Sequence, residues 1–229
     1  ASAVLLDPMS GRSGLAETRR NGRGLDVWLQ LEPGASIFVR TLARRPQGPA
    51  WKYWKAGDAA FPAGESWSVR FLEGGPELPP SFRTDRLASW TEAGEAAQRF
   101  AGTALYSTMF DAPALSAGRA WFLELGRVHE SARVRLNGED LGTVFTPPFR
   151  VLVERLRPEG NLLEVEVTNV SANRIRDLDR RKAPWKIFHD INFVGMDYKP
   201  FDASGWPVRE SGLLGPVVVR PAVAVIPGK

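Results

Sequence analysis

Aromatic and polar side chains are concentrated between positions 185 and 206 of this 229-residue chain. Aromatic rings can cover the C–H face of a pyranose, while carboxylates, amides and imidazoles hydrogen-bond its hydroxyls. The stretch holds all of these side-chain types close together, which predicts a carbohydrate-binding site. The candidate residues are Trp185, His189, Asp190, Asn192, Asp197, Tyr198 and Trp206.

The same rings allow a second interpretation. A long loop can pack its own aromatic side chains into a satellite core, or dock them on a neighbouring domain. Both uses predict that Trp185, His189, Asp190, Tyr198 and Trp206 lie near one concave surface, at an end of the fold where loops cluster. A Trp206→Ala substitution separates them, because loss of binding indicates a sugar site and loss of stability indicates packing.

Catalytic chemistry has no comparable pattern. Glycoside hydrolysis needs two carboxylates about 5 to 10 Å apart, and no spacing among the 26 acidic residues pairs two of them. His189 and Asp190 are adjacent, so their side chains are not expected to face each other, and no serine or cysteine nucleophile is tied to them by a motif. The sequence therefore predicts no catalytic residue in this chain.

Composition excludes several classes of function. The chain has no cysteine, which excludes disulfides and thiolate metal sites, and its two histidines show no ligand spacing, so no cofactor is expected. The net charge of +4 comes from basic residues spread among acids, with short runs at Arg44-Arg45 and Arg180-Arg181-Lys182. Binding to nucleic acid would need a stripe of basic residues on one face, and a membrane-spanning segment would need a longer apolar run. Neither a nucleic acid nor a membrane is therefore expected as a partner.

Residues 121–169 are the part of the chain around which the other elements must assemble. They read as five consecutive strands, because apolar and polar residues alternate with period two. Asn137-Gly138 predicts a tight hairpin turn with positive φ at both residues. The alternation predicts an antiparallel β-sandwich. The residues expected to be buried between its two sheets are Val134, Leu136, Val151, Val165 and Val167.

The preceding part of the chain predicts a smaller β-structure. A strand begins near Val4, and residues 25–31 and 36–42 are expected to pair as a hairpin around Pro33-Gly34. Residues 44–64 are rich in Pro, Gly and Ala and predict a linker. The alternation that starts at Trp67 predicts the first strand of the sandwich.

The part that follows residue 169 is less regular. A helix is expected over 171–181, inside a connection from 170 to 215 that shows no clear strand. Connections of this length inside a compact domain are often functional. Val217 to Val219 is expected to close the sandwich beside the Trp67 strand.

Several motifs in the strand-rich region resemble a known family. They are Leu125-Gly126, Glu130-Ser131-Ala132, Leu136-Asn137-Gly138, Leu141-Gly142-Thr143, Pro148-Phe149 and Asn161 to Asn169. Together they resemble the galactose-binding-like jelly roll that accompanies glycoside hydrolases, the sugar-binding domain of family 2 enzymes and their relatives. The C-terminal part of large bacterial α-L-rhamnosidases is the most similar, since Gly102 to Tyr106 and Ser211 to Pro216 resemble its entry and closing strands.

This resemblance implies an all-β fold, a galactose-binding-like jelly-roll β-sandwich at residues 59–229, preceded by a small β-segment and linker at 1–58. It implies a non-catalytic carbohydrate-binding or supporting domain of a glycoside hydrolase, or alternatively a structural module that braces a catalytic domain. The implied partners are a saccharide or polysaccharide and the catalytic domain of the same parent polypeptide, in the periplasm or outside a bacterial cell. Such jelly rolls can hold a structural calcium, for which Asp177, Asp179 and Asp202 are the candidate ligands.

Overall fold

The structure, a computed structural model, describes residues 1–112, 119–188, 194–196 and 198–227. Its strands are β1 (Ser2–Leu6), β2 (Ser13–Leu15), β3 (Thr18–Asn21), β4 (Gly24–Val27), β5 (Phe38–Leu42), β6 (Tyr53–Ala56), β7 (Phe61–Pro62), β8 (Trp67–Gly75), β9 (Phe82–Thr84), β10 (Ala101–Phe110), β11 (Ala120–Glu124), β12 (Arg127–His129), β13 (Ser131–Leu136), β14 (Glu139–Val144), β15 (Arg150–Val153), β16 (Asn161–Thr168), β17 (Gly212–Gly215) and β18 (Val218–Val225). The helices are a 3-10 helix (Trp90–Ala93), α1 (Glu95–Gln98) and α2 (Ala172–Arg180). None of the described helices is long and apolar enough to cross a membrane.

Two antiparallel sheets form the body of the molecule. One has the order β14-β13-β16-β10-β8-β9, and the other has the order β15-β11-β18-β6 with β7 also paired to β18. Buried side chains from both sheets belong to one hydrophobic core, including Val134 and Val165 from the first sheet and Leu123 and Val219 from the second. The predicted all-β sandwich is therefore confirmed.

Period-two alternation determines which face of each strand is buried. On β16, Leu163, Val165 and Val167 are buried while the residues between them are more exposed. The five residues predicted to lie between the sheets are all buried, which confirms that expectation. The predicted turn is also present, with φ of 55° at Asn137 and 85° at Gly138.

The N-terminal region differs from its predicted pairing. β1 lies between β2 and β5 in a three-stranded sheet, and β3 pairs with β4 as a separate hairpin. The expected hairpin between 25–31 and 36–42 is wrong. Asn21 pairs with Gly24 around a two-residue turn, Gly22-Arg23, in which Gly22 has a φ of 58°. This tighter turn determines the pairing instead of Pro33-Gly34.

The second sheet recruits strands from the predicted linker. β6 and β7 both pair with β18, so residues 53–62 extend the sandwich. Val219 pairs with Leu123 of β11, and the expected position of this strand beside Trp67 is wrong. β8, which contains Trp67, already has β10 and β9 as neighbours in the opposite sheet. The division at residues 58 and 59 stays a prediction.

The connection from 170 to 215 begins with the predicted helix, α2. It ends with β17, which lies within the segment that resembles a closing strand and pairs with β12. Two bonds join the two ends of this connection: the buried Asn173 side chain donates to the Arg209 carbonyl and accepts from the Arg209 N–H, each at 2.8 Å. The residues between α2 and β17 are therefore fixed at both ends.

Candidate functional site

The C-terminal end of α2 forms one wall of the candidate site. The Lys182 N–H donates to the Asp179 carbonyl at 3.1 Å and the Ala183 N–H donates to the Leu178 carbonyl at 2.9 Å. This pair of bonds is a Schellman motif, which places Lys182 at the position where a left-handed conformation is required and glycine is usual. Lys182 accordingly has a φ of 55°. The helix therefore ends sharply, and the chain turns back toward its own last turn.

Asp179 connects this helix end to the following loop. Its carboxylate accepts hydrogen bonds from the Trp185 indole N–H at 2.7 Å and from the Ala203 N–H at 2.8 Å, and it lies 3.2 Å from the Lys186 ammonium. Burial alone would raise the pKa of Asp179, but the bonds from Ala203, Trp185 and Lys186 outweigh burial and lower it. An ionised Asp179 thus fixes the ring of Trp185.

Three aromatic rings pack in sequence beside this carboxylate. The Phe201 ring lies edge-on to Trp185, with ring centroids 6.2 Å apart, and edge-on to Trp206, with centroids 5.5 Å apart. The Lys186 ammonium lies 5.7 Å from the Trp185 centroid and donates to the Phe201 carbonyl at 2.7 Å. Arg176 also donates to the Trp206 carbonyl, at 2.7 Å. Trp185 and Trp206 therefore share a small aromatic cluster, as the packing interpretation requires.

A depression of about 860 Å³ opens between the end of α2 and the loop. Its lining residues are Asp179, Arg180, Lys182, Ala183, Pro184, Trp185, Lys186, Asp202 and Ser204. We call this depression the α2 pocket. Its volume lies within the range typical of small-ligand sites, and its lining combines an indole ring with cations, carboxylates and a hydroxyl. This combination can stack on a sugar ring and hydrogen-bond its hydroxyls.

The predicted site residues have different positions. Trp185 lines the α2 pocket, and Trp206, whose exposed fraction is 37%, reaches the cluster through Phe201. Tyr198 is 78% exposed and lies in a turn closed by the Tyr198 N–H to the Gly195 carbonyl. His189, Asp190, Asn192 and Asp197 lie outside the described residues. The prediction of one shared surface for these side chains stays a prediction.

Several lining residues were not among the predicted site residues. Arg180, Lys182, Lys186 and Ser204 all line the α2 pocket. Two of them, Arg180 and Lys182, belong to the basic run Arg180-Arg181-Lys182, which was interpreted only in terms of nucleic-acid binding. Its role as a pocket wall depends on the sharp helix end, where Lys182 takes the position that glycine usually occupies.

The aspartates considered for calcium have other partners. Asp177 pairs with Arg174 at 3.1 Å and with Arg181 at 2.9 Å. The Asp202 carboxylate accepts the Ser204 N–H at 2.8 Å, and this bond lowers the pKa of Asp202. Within the described ranges, no group of three or more His, Cys, Asp or Glu side chains is arranged to hold a metal ion.

A second depression, of about 640 Å³, lies on another part of the surface and is lined by Arg127, His129, Glu130, Phe145 and neighbouring residues. The two ring nitrogens of His129 lie 3.8 Å from carboxylate oxygens of Glu130 and Glu210. Arg127 also pairs with Glu210. Phe145 is the exposed ring of this depression, so it offers a useful comparison with Trp185.

Comparison with known proteins identifies relatives of this chain. No protein-family model matches the sequence. A solved structure of a rhamnosidase from Novosphingobium sp. PP1Y aligns over 96% of this chain with 30% sequence identity and a TM-score of 0.69. The predicted resemblance to rhamnosidases is confirmed. A curated protein from Formosa agariphila, named provisionally as a β-glucuronidase, is 32% identical over 159 residues, or 60% of this chain.

The chain corresponds to a small part of each relative. It spans 20% of the length of the solved rhamnosidase and 14% of the length of the Formosa protein. Both relatives are named as glycosidases, and the fold agreement extends over nearly the whole chain. The chain is therefore a glycosidase-related domain.

Proposed function

We propose that this chain is a non-catalytic carbohydrate-binding domain of a glycoside hydrolase that resembles α-L-rhamnosidases and acts in polysaccharide breakdown. The observation that carries the proposal is the half-buried Trp185 ring in the wall of the α2 pocket, held by the bond from its indole N–H to Asp179. A ring fixed in this way loses little conformational freedom when a sugar stacks on it. The polar rim of Asp202, Ser204 and Lys182 supplies partners for hydroxyls.

The aspartates of the α2 pocket support a binding role more than a catalytic one. A glycosidase general acid needs a raised pKa so that it carries a proton at neutral pH. The pKa values of Asp179 and Asp202 are both lowered, which keeps these carboxylates ionised. The isolated chain is accordingly expected to show no turnover of aryl rhamnosides or galactosides. Turnover that disappears when one acid of this chain is substituted would overturn the non-catalytic assignment.

Calorimetric titration against a panel of plant and bacterial oligosaccharides tests the binding role. Stacking and hydrogen bonds to a sugar are individually modest, so dissociation constants between about 1 μM and 1 mM are expected. Trp185→Ala and Asp202→Ala should weaken binding, whereas Phe145→Ala, which alters the other depression, should leave it unchanged. Absence of binding to every saccharide in the panel, with a folded protein, would reject the proposal.

A second candidate function is a structural brace for the catalytic domain of the same polypeptide. The observation that favours it is apolar exposure on the same connection, where Ile187 is 86% exposed and Phe188 is 62% exposed. Large exposed apolar side chains that are close together often mark an interface. Separate expression of this chain and of a catalytic domain, mixed in solution, would test it. Ile187→Ser should weaken association in that mixture and leave saccharide titrations unchanged.

The proposed location follows from the proposed substrate. Polysaccharides are too large to cross a bacterial membrane without prior cleavage, so a domain that binds them would act in the periplasm or outside the cell. Fractionation of a producing bacterium, with detection of the parent polypeptide, tests this location.

A further inference from the structure

We propose that the saccharide taken by the α2 pocket is anionic, with a carboxylate or a sulfate on its sugar rings. This inference rests on the proposed function, since it names the class of saccharide for the same pocket. The observations that carry it are the unequal pairing of charges in the pocket and the backbone conformation of Lys182.

The carboxylates of the α2 pocket already have donors. Asp179 is nearly inaccessible and lies against Lys186, with two further N–H donors. Asp202 accepts the Ser204 N–H at 2.8 Å. By contrast, the side chains of Arg180 and Lys182 are exposed, and neither makes a hydrogen bond or ion pair with any residue in the described part of the chain. The cations Arg180, Lys182 and Lys186 outnumber the carboxylates Asp179 and Asp202 in the lining, so the pocket keeps a net positive charge. An anionic group is its chemical complement.

Lys182 occupies a backbone position that suits glycine better. Its φ of 55° lies in the left-handed region, where a side chain with a Cβ is disfavoured. The Schellman bonds to Asp179 and Leu178 need this conformation but make no use of the lysine side chain. Backbone strain of this kind is concentrated at functional sites. A charged side chain in the lining of the α2 pocket is the feature that glycine would lack.

A neighbouring depression extends the basic surface. It has a volume of about 290 Å³ and is lined by Arg99, Arg176, Arg180 and Arg181 together with Glu95 and Asp177. Arg180 belongs to both depressions. An acidic oligosaccharide longer than one ring could therefore keep its next anionic group near cations as it leaves the α2 pocket.

A structural role for these cations makes the opposite prediction for stability. Positive side chains near a helix C-terminus stabilise the helix through its dipole. If that is their use, Lys182→Gly should lower the thermal midpoint and leave saccharide binding unchanged. If the ammonium serves a ligand, Lys182→Gly should keep or raise the midpoint, by roughly 2 °C, because glycine relieves the left-handed conformation, and binding should weaken.

The experiment titrates the full chain with three oligosaccharides of equal length: an oligogalacturonide, a sulfated galactan fragment and a neutral galactan fragment. Binding of at least one acidic probe is expected, with loss of affinity between salt concentrations of about 0.01 M and 0.15 M. Lys182→Gly and Arg180→Gln should each weaken that binding roughly tenfold. Lys52→Gln, which removes an exposed cation outside the pocket, should have no effect.

The outcomes separate this inference from the proposed function. Binding of only the uronate or only the sulfated probe supports the inference and names the anionic group. Equal binding of neutral and acidic probes, without salt dependence, overturns the inference and leaves the proposed function standing. If an acidic probe binds Lys182→Gly and Arg180→Gln as tightly as it binds the unsubstituted chain, the assignment of the site to the α2 pocket is overturned. Failure of all three probes, with the oligosaccharide panel also negative, rejects the proposed function itself.

Discussion

Two adjacent residues, Asn137 and Gly138, connect β13 to β14 and also hold the start of β16. The Asn137 side chain accepts the Leu162 N–H at 3.0 Å and donates to the Asn161 side chain at 3.1 Å. Asn161 is fully buried and also bonds both backbone groups of Arg157. A single turn therefore aligns three strands, because its side chain completes hydrogen bonds that the ladder leaves open.

Gly138 is the residue of this turn that tolerates change least. Its φ is 85°, in the region that side chains with a Cβ disfavour, and no atom lies within 4 Å of an added Cβ. The loss of stability in Gly138→Val therefore comes from the backbone conformation and not from a steric clash. We expect a loss of about 1 to 2 kcal/mol in the free energy of unfolding, measured by urea denaturation. Gly48→Val is the matched control, because Gly48 also has open space but no positive φ. Equal effects of the two substitutions would contradict this account.

Val165 tests the core in the same way. It is fully buried on β16, where it pairs with Val134 on one side and Tyr106 on the other. Val165→Ala should cost about 1 to 3 kcal/mol of unfolding free energy, through lost burial and a residual cavity. Val223→Ala makes the same chemical change on β18 at a residue that is 52% exposed, and it should cost less than about 0.5 kcal/mol. An unchanged denaturation midpoint for Val165→Ala would argue against the sandwich core.

The sequence predicted these residues because their signals are local. Period-two alternation determines the buried face of β16, and Asn-Gly specifies its own turn type. Lys182 was not predicted in its left-handed conformation, since a lysine there carries no local signal. Its conformation follows from how α2 ends against the loop, which depends on Asp179 and on residues about twenty positions later in the chain.

At the scale of elements, Asp179 is the contact that holds the loop after α2 against the helix. Its three donors come from Trp185 and Lys186, which follow the helix closely, and from Ala203, which lies later in the same connection. The fixed position of the α2 pocket wall therefore depends on one ionised side chain. A residue in this role should make the stability of the element depend on pH.

The sign of that dependence follows from the direction of the pKa shift. The pKa of Asp179 in the folded state lies below its ordinary value of 3.8, so its stabilisation is present above that value and is lost as the pH falls through the lower folded value. Asp179→Asn should therefore lower the thermal midpoint at pH 7, and the difference from the unsubstituted protein should shrink in acid. Asp85→Asn, at an exposed aspartate, is the control. If the thermal midpoints of Asp179→Asn and of the unsubstituted protein differed by the same amount at pH 7 and in acid, this role of Asp179 would be contradicted.

Element identity was more predictable than element pairing. The strands at 121–169 and the helix α2 were expected from periodicity, and each is present. The sheet to which β18 belongs was not predicted correctly, because alternation indicates which face of a strand is buried but not which strands it pairs with. β18 pairs with β11, β6 and β7, and two of these three strands come from a segment whose Pro and Gly content indicated a linker.

At the scale of the whole molecule, the N-terminal region depends on the sandwich. Its own buried apolar residues are few: Ala3, Leu5 and Leu15. Tyr53, the first residue of β6, is buried; its hydroxyl accepts the Glu17 N–H at 3.0 Å and donates to the Trp28 carbonyl at 3.1 Å. Arg150 of β15 adds an ion pair to Glu32 at 2.6 Å. So small a core is too little to sustain independent folding, and these contacts supply the missing support.

This dependence predicts one cooperative unfolding transition for the chain, and it makes Tyr53→Phe the informative change. Removal of the hydroxyl leaves the Glu17 N–H and the Trp28 carbonyl without that partner, at a cost of about 1 to 3 kcal/mol. Because the N-terminal region and β6 should unfold together with the sandwich, the single calorimetric transition should move to lower temperature as a whole. Tyr198→Phe, at a tyrosine that is 78% exposed, should leave it in place. Two transitions, of which Tyr53→Phe shifts only the first, would instead favour a division of the chain near residue 58 into separately folding parts.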